Sequence, residues 1–538
     1  MDYSAEEQKE LATLSQTLIN TPISDMTDRK SDWAASLKKT IIYHEWRYYI
    51  ENDPIITDYE YDVLFSKLKE IEEMFPDLIT TDSPTQRVSN DLTSEFEVVE
   101  HIKPMLSLSN SYNLEDINEF DVQIKKLTDN KYTPEYCVEP KYDGGTIVLV
   151  YEDDTLVRAS TRGDGFKGED ITNNARSLKT IPLKAKFSAY GIYRAEIRGE
   201  CLIKKDVFEK INADRQAENL SLFANPRNAA TGSLRMKNPQ DVAKRGLEAI
   251  IYQLGYAVDK EGNDAIPQFK THDNCIEALG KLGFKIPTIE RKVCHTTREI
   301  SDFCNAWQDK RDAYHYELDG MVIKLNDLRL QELCGSTAHH PRWATAFKFK
   351  ARQATSELLG VEFQVGKIGS VTPVAKIRPV PLAGVRVSSI SLHNEAFIRS
   401  KDIRIGDQVL VERAGDVIPY IVKSFPELRN GSETVIDYPE TCPSCASQLF
   451  KEEDEAVWRC VNSNCPAQIV QRIIHHASKD AMDIEGMGKS IVERFYELGI
   501  IHSIADLYNL PYEAIEKLEG FGQKSVSKLQ KNIEKARQ

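Results

Sequence analysis

Four cysteines place the tightest limit on what this chain can fold into. They stand as Cys442-x2-Cys445-x14-Cys460-x4-Cys465. Two thiol pairs, each reachable from a tight turn, can close tetrahedrally around one Zn²⁺. Pro443 and Pro466 help fix those turns. With four sulfurs and no open position, Cys442, Cys445, Cys460 and Cys465 are expected to form a structural zinc site rather than a catalytic one. The other six, Cys137, Cys201, Cys275, Cys294, Cys304 and Cys334, are scattered, most of them in apolar or strand-like stretches. They read as ordinary buried thiols rather than a disulfide framework.

The 538 residues suffice for three to five domains at roughly 150 residues each. Hydrophobic residues at 41% and charged residues at 28% exclude a disordered chain. No apolar run approaches the roughly 18 residues of a membrane-spanning helix. Met1–Glu10 is acidic and polar, unlike a secretory signal, so the cytoplasm is the expected address. The net charge of −14 argues at first against nucleic acid. Residues 1–100, however, carry 9 Lys/Arg against 22 Asp/Glu, and the remaining 438 carry 60 against 61. The acidic excess is confined to the N-terminal fifth, leaving the rest free to present basic faces.

Along the chain, residues 1–75 show helical spacing (Ile41, Ile42, Trp46, Tyr49; then Leu64, Leu68, Ile71), broken at Asp53-Pro54. Residues 80–110 read as a Pro- and Ser-punctuated linker with little regular structure. Residues 135–350 alternate strands (Thr146–Tyr151, Thr155–Ser160, Glu196–Ile203, Gly320–Leu325) with helices, an α+β pattern. Residues 355–435 fit a small five-stranded barrel. After the cysteine segment, 468–538 return to helices punctuated by paired glycines.

Those glycines recur in register. Ile484-Glu485-Gly486-Met487-Gly488 with Lys489 is matched by Leu518-Glu519-Gly520-Phe521-Gly522 with Gln523-Lys524. An apolar-x-Gly-apolar-Gly turn between short helices is a helix-hairpin-helix. Its backbone N–H groups and the next helix N-terminus can approach a DNA phosphate, giving sequence-independent binding. Gly486, Gly488, Lys489, Gly520, Gly522 and Lys524 are the expected DNA contacts.

The third motif is Glu139-Pro140-Lys141-Tyr142-Asp143-Gly144-Gly145, ahead of an apolar strand. Desolvation and neighbouring cations can turn a lysine into a nucleophile at neutral pH, although most lysines are simply solvated. Further charged islands lie in strand-like surroundings: Arg162-Gly163-Asp164-Gly165, Arg198-Gly199-Glu200, Asp319-Gly320-Met321-Val322-Ile323-Lys324 and Lys348-Phe349-Lys350. Together they suit a polyphosphate pocket with a divalent metal.

These elements resemble the nucleotidyltransferase motifs of DNA ligases and capping enzymes. Thr161–Gly165, the run Phe223-Ala224-Asn225-Pro226-Arg227-Asn228 through Arg235, and Arg413-Ala414-Gly415-Asp416-Val417-Ile418-Pro419 narrow the resemblance to the bacterial NAD-dependent DNA ligases. It covers the chain from about residue 30. Tyr48-Tyr49 and Thr57-Asp58-Tyr59-Glu60-Tyr61-Asp62 resemble the helical domain carried by the NAD-using branch. Spacing alone would make those tyrosines a core stripe. The usual family architecture continues past two hairpins to four and a BRCT domain. Family members usually have Leu or a similar apolar residue where Gly145 stands here.

The resemblance implies a multidomain α+β protein: an N-terminal helical NAD/NMN-recognition domain with linker (1–90), an adenylation domain (91–352), an OB-fold (353–435), a four-cysteine zinc finger (436–467) and a partial helix-hairpin-helix domain (468–538). The implied reaction seals 5′-phosphate/3′-hydroxyl nicks in duplex DNA, in replication and repair, through a lysine–AMP intermediate, releasing NMN and AMP. Lys141 is implied as the nucleophile, with Glu139 and Arg162 on the adenosine side and Glu200 at ribose or metal. Lys324 and Lys348 are implied at phosphate, with Asp319 a carboxylate of the same pocket. Ser107 and Leu108 match a further NAD-contacting position, and Tyr48, Tyr49, Asp58, Tyr61 and Asp62 face nicotinamide. NAD, Mg²⁺ (or Mn²⁺) and Zn²⁺ are the implied cofactors, and a monomer acting on nicked double-stranded DNA is expected. An ATP- or GTP-using relative, a catalytically silent DNA-binding scaffold and an RNA-sealing enzyme are the alternatives.

Overall fold

The computed structural model describes residues 3–26, 28–51, 53–80, 82–87, 96–218, 220–350, 352–382, 385–414, 418–452, 455–479 and 481–537. The boundary expected at 90/91 and positions 415–417 of the Arg413–Pro419 motif lie outside the described residues. Two compact units divide at Lys350/Ala351.

The first unit opens with three helices, Ala5–Asn20, Lys30–Glu45 and Asp58–Met74. The first and third start with capping boxes, at Ser4/Glu7 and Thr57/Glu60, which satisfy the orphan N–H groups of the first turn. Leu18, Leu37, Ile41, Leu64, Leu68 and Ile71 form their shared core, as the 3.6-residue spacing predicts.

Two sheets follow. One has five strands in the order Ser109–Ser111, Ala344–Lys348, Leu318–Leu325, Tyr136–Tyr142, Lys292–Cys294. The other has four, in the order Thr155–Thr161, Gly145–Glu152, Arg194–Leu202, Glu248–Val258. Each is backed by its own apolar cluster. The six scattered cysteines are all buried.

The stretch 80–110 differs from the sequence expectation. Val98–Glu100 pairs antiparallel with Lys167–Glu169, and Ser109–Ser111 pairs parallel with Thr345–Phe347. Both partners lie far away in sequence, and three-residue strands leave no local periodicity to read.

In the second unit, a five-stranded sheet drawn from Gln353–Ser424 packs around Leu358, Ala375, Ile390, Val409 and Ile421. The cysteine segment adds the short pair Leu449–Phe450 and Arg459–Cys460. Helices Pro466–Ala477, Lys489–Glu497 and Gln523–Arg537 share a core around Phe495, Val526 and Leu529.

Candidate active site

Lys141 stands where the chain crosses from one sheet to the other. The strand Tyr136–Tyr142 belongs to the five-stranded sheet, and Gly145–Glu152, which begins three residues later, to the four-stranded one. The crossing is tight: a Cβ at Gly144 would lie 2.3 Å from the Cys201 carbonyl oxygen. A Cβ at Gly145 would lie 2.9 Å from Thr231 Cγ2, on the helix Pro226–Leu234. Gly145 therefore leaves the room that Thr231 on that helix occupies.

Three strands place Lys141 opposite Gly320 and Gly320 opposite Lys348. The register slips between Leu318 and Gly320, so Asp319 is a bulged residue, and bulges re-aim side chains. Gly320 has φ +154°, and a Cβ there would lie 2.1 Å from the Phe347 carbonyl oxygen. The bulge delivers one carboxylate oxygen, Asp319 Oδ2, to both lysines. Lys141 Nζ donates to it at 2.5 Å, and Lys348 Nζ also donates to it. The two ammonium groups hold the Asp319 carboxyl below its ordinary range, against the upward push of burial.

One pleat from Lys141, Glu139 faces a different set. It is 1% exposed and ion-paired to Lys324, and its Oε2 lies 3.1 Å from His272 Nε2. Burial opposes ionisation, but Lys324 and His272 outweigh it and hold the Glu139 carboxyl at about 2. Lys324 also donates to the Tyr252 carbonyl at 3.0 Å, with its ammonium 5.4 Å from the Tyr252 ring centroid. The resemblance groups Lys324 with Lys348 on phosphate; the structure pairs them with different carboxylates.

On the facing sheet, Glu200 lies opposite Thr146, whose hydroxyl donates to Glu200 Oε2 at 3.2 Å. Removal from water pushes the Glu200 carboxyl up to about 7, opposed by the Lys141 charge. Asp143 accepts from Arg227 at 2.8 Å. Arg162 is exposed and donates to Ser107 Oγ at 3.1 Å, and Leu108, the next residue along, is half-buried. Cationic lysines, an arginine and a carboxylate lacking a full counter-charge suit a nucleotide phosphate with a divalent metal.

The N-terminal residues are placed differently. The Tyr48 and Tyr49 rings lie 4.7 Å apart, Tyr48 is exposed, and the Asp58 side chain lies outside the described residues. Asp62 stands on the same helix as Tyr61. Tyr61 donates to Glu45 Oε1 at 2.9 Å, and Lys179 Nζ lies 3.2 Å from the Tyr61 hydroxyl. Glu45, 3% exposed, also accepts from Lys179 at 2.6 Å and Arg87 at 3.1 Å. Among the described residues, neither Tyr48 nor Tyr61 hydrogen-bonds to the Lys141 group. Sequence reasoning missed Glu45, Lys179, His272 and Tyr252, because none belongs to a motif and each is recruited from a distant segment.

In the second unit, the four thiols lie within 4.8 Å of one another. Cys442 Sγ is 3.8 Å from Cys465 Sγ and Cys445 Sγ is 3.5 Å from Cys460 Sγ. Four sulfurs bound at about 2.3 Å around a tetrahedral zinc would stand about 3.8 Å apart, so the set fits the metal. The two glycine turns carry Gly486 at φ +95° and Gly520 at φ +85°. Each turn is gripped by the other's helix: Arg494 donates to the Glu519 carbonyl at 2.8 Å and Asn532 to the Glu485 carbonyl at 2.9 Å. Lys489 and Lys524 are exposed, and the Gly522 N–H is taken by Ser525 Oγ at 2.9 Å.

A lysine at a sheet crossing, facing carboxylates and a second lysine, suits the class of nucleotidyltransferases. The sequence matches four families in order: a DNA ligase-like N-terminal NAD⁺-binding domain (27–89), then the NAD-dependent DNA ligase adenylation domain (93–352), OB-fold domain (355–433) and C4 zinc finger domain (441–467). It is 58% identical to a DNA ligase of Persephonella marina over 502 residues, 93% of this chain and 70% of that one. It is 54% identical to a DNA ligase of Sulfurihydrogenibium azorense, covering 99% of this chain and 76% of that one. For the DNA ligase of Aquifex aeolicus the identity is 50%, with 99% and 74% covered. The chain belongs to the NAD-dependent DNA ligase family, which joins DNA nicks through an adenylated enzyme.

Proposed function

We propose that Lys141 is the nucleophile: its amine, after releasing a proton to solvent, attacks the adenylyl phosphorus of NAD so that the bond to nicotinamide mononucleotide breaks and AMP remains on Nζ. The carrying observation is the single Asp319 oxygen shared by Lys141 and Lys348. It holds the two cations together, so phosphate oxygens arriving between them exchange one anion for another. Glu139 and Lys141 lie on one face of a strand, two residues or about 7 Å apart. A nucleotide with its phosphate at Lys141 thus reaches Glu139 with its base, and Lys324 goes with the base. Arg162, with Ser107 and Leu108, lines the outer side.

Glu200 is the residue we assign to Mg²⁺, whose chemistry when bound is neutralisation of phosphate charge. Its carboxyl, pushed up by burial, lacks the counter-charge that a divalent ion provides. Tyr48, Tyr49, Asp58, Tyr61 and Asp62 take the nicotinamide side, and the turns at Gly486/Gly488 and Gly520/Gly522, with Lys489 and Lys524, hold the DNA backbone. The working unit in this reading is a cytoplasmic monomer on nicked duplex DNA, with domains spanning 1–90, 91–352, 353–435, 436–467 and 468–538.

The test is covalent labelling with NAD carrying a labelled adenylate. Wild type should take up label and Lys141→Ala should not. Normal labelling of the variant overturns the nucleophile, and labelling from ATP in place of NAD overturns the cofactor. Removing residues 468–538 should spare labelling while weakening nick binding and flattening its salt dependence, because fewer phosphates are neutralised.

A further inference from the structure

We propose that His272 is a positioning residue for nucleotide recognition, donating from Nε2 to Glu139 so that one Lys324 proton stays free for the purine. The inference rests on the reading of Glu139 and Lys324 as the base-facing pair.

His272 opens the helix His272–Lys281 and its side chain is 5% exposed. Its Nε2 lies between two partners, 3.1 Å from Glu139 Oε2 and 3.2 Å from Lys324 Nζ. Burial and the Lys324 charge hold the imidazole below its ordinary basicity, so it is neutral and carries one N–H. Were the Nε2 lone pair to accept from Lys324, an ionised Glu139 oxygen would face that lone pair with no donor. A hydrogen on Nε2 satisfies the carboxylate instead. Lys324 then spends one proton on Glu139 Oε1 and one on the Tyr252 carbonyl, and the third has no protein acceptor among these contacts. An ammonium carries three donors, and a buried unpaired one is costly. A ring nitrogen of the base can accept it.

A metal site built from Cys137, Glu139 and His272, whose donor atoms lie within 4.8 Å, is the competing explanation of this cluster. The Lys324 ammonium already supplies the positive charge there. Burial and the Glu139 charge push the Cys137 thiol well up, keeping it protonated and a poor ligand.

The test compares binding of AMP and IMP to the full chain by calorimetry, with no turnover. The two ligands differ at C6, an amine that a fixed carboxylate accepts from against a carbonyl oxygen that would confront it, and at N1, an acceptor for Lys324 in AMP and an N–H in IMP. Wild type should prefer AMP. His272→Leu should reduce the preference about tenfold, the worth of one charge-assisted hydrogen bond, while His272→Gln, which restores an N–H, should recover most of it. An unchanged ratio in His272→Leu, with a reduced ratio in Glu139→Gln, overturns the role of His272 alone. An unchanged ratio in Glu139→Gln overturns the base-facing reading itself. Imidazole ¹⁵N shifts of the wild-type chain give a readout independent of any variant's folding: the Nε2–H neutral tautomer near neutral pH is expected, and the Nδ1–H tautomer overturns the proposal.

Discussion

Lys141 donates to Oδ2 of Asp319 at 2.5 Å, across a strand pair whose register slips by one residue at Asp319 itself. The nucleophile of the expected reaction and the carboxylate of a motif 178 residues away are thus joined by a backbone irregularity. The positive φ of Gly320 makes that irregularity possible.

Asp319→Asn should leave the fold intact but remove the anion that holds Lys141 and Lys348 together. Misplacing a reacting group by about 1 Å costs on the order of hundredfold in rate, so single-turnover labelling by NAD should slow by about that factor. Asp319→Glu should also be slow, since the bulge aims the shorter side chain. Wild-type rates in both variants would separate Asp319 from the chemistry.

Glu45→Gln should destabilise the first unit by about 3 kcal/mol, because Arg87 and Lys179 lose their shared buried anion. A thermal melt reads that loss directly. Labelling by NAD should suffer more than sealing of a pre-adenylated nick, since Glu45 orders Tyr61 in the segment assigned to nicotinamide. Equal losses in the two assays would make the Glu45 node purely structural.

Glu200 gives a pH dependence whose sign can be worked out. Its folded value of about 7 lies above the ordinary 4.5, so the folded chain binds more protons between those values. Stability is therefore lost as pH rises through that window, by about 3 kcal/mol at most. Glu200→Gln, free of that cost, should be more stable than wild type above the window and no more stable below it. Chemical denaturation on the two sides of the window checks it, and a constant difference would contradict the cause.

Cys442→Ser should lower zinc content and loosen the segment 436–467. A four-cysteine site contributes its binding energy to local folding, and removing one thiolate breaks the tetrahedron. Elemental analysis and limited proteolysis report the two effects. A chelator should reproduce the proteolysis pattern in wild type, and full protection in zinc-free protein would rule out a structural role.

Much of the architecture is legible in the sequence because its signals are local. The 3.6-residue spacing of Leu64, Leu68 and Ile71 predicts a buried helix face, and those residues form the core of the helical segment. The four cysteines predict one thiol cluster, and their sulfurs meet within bonding range of a single ion. The strands around Thr146, Thr155, Glu196 and Gly320 lie within about two residues of their expected ends, as alternation and turn residues allow.

What the tertiary structure alone decided is how charged groups were shared out. The family resemblance groups Lys324 and Lys348 in one phosphate-binding role; strand register gave Lys324 to Glu139 and Lys348 to Asp319. Spacing alone made Tyr61 part of a core stripe and the family resemblance a nicotinamide contact; packing committed its hydroxyl to Glu45 and Lys179. His272, with no motif around it, became the partner of Glu139 only because a helix N-terminus 133 residues away packs against that strand. Composition and spacing determine which groups a chain carries and which local elements it forms. Which cation neutralises which buried anion is an energy of pairs, set by distances of about 3 Å between segments that only the folded sheets bring together.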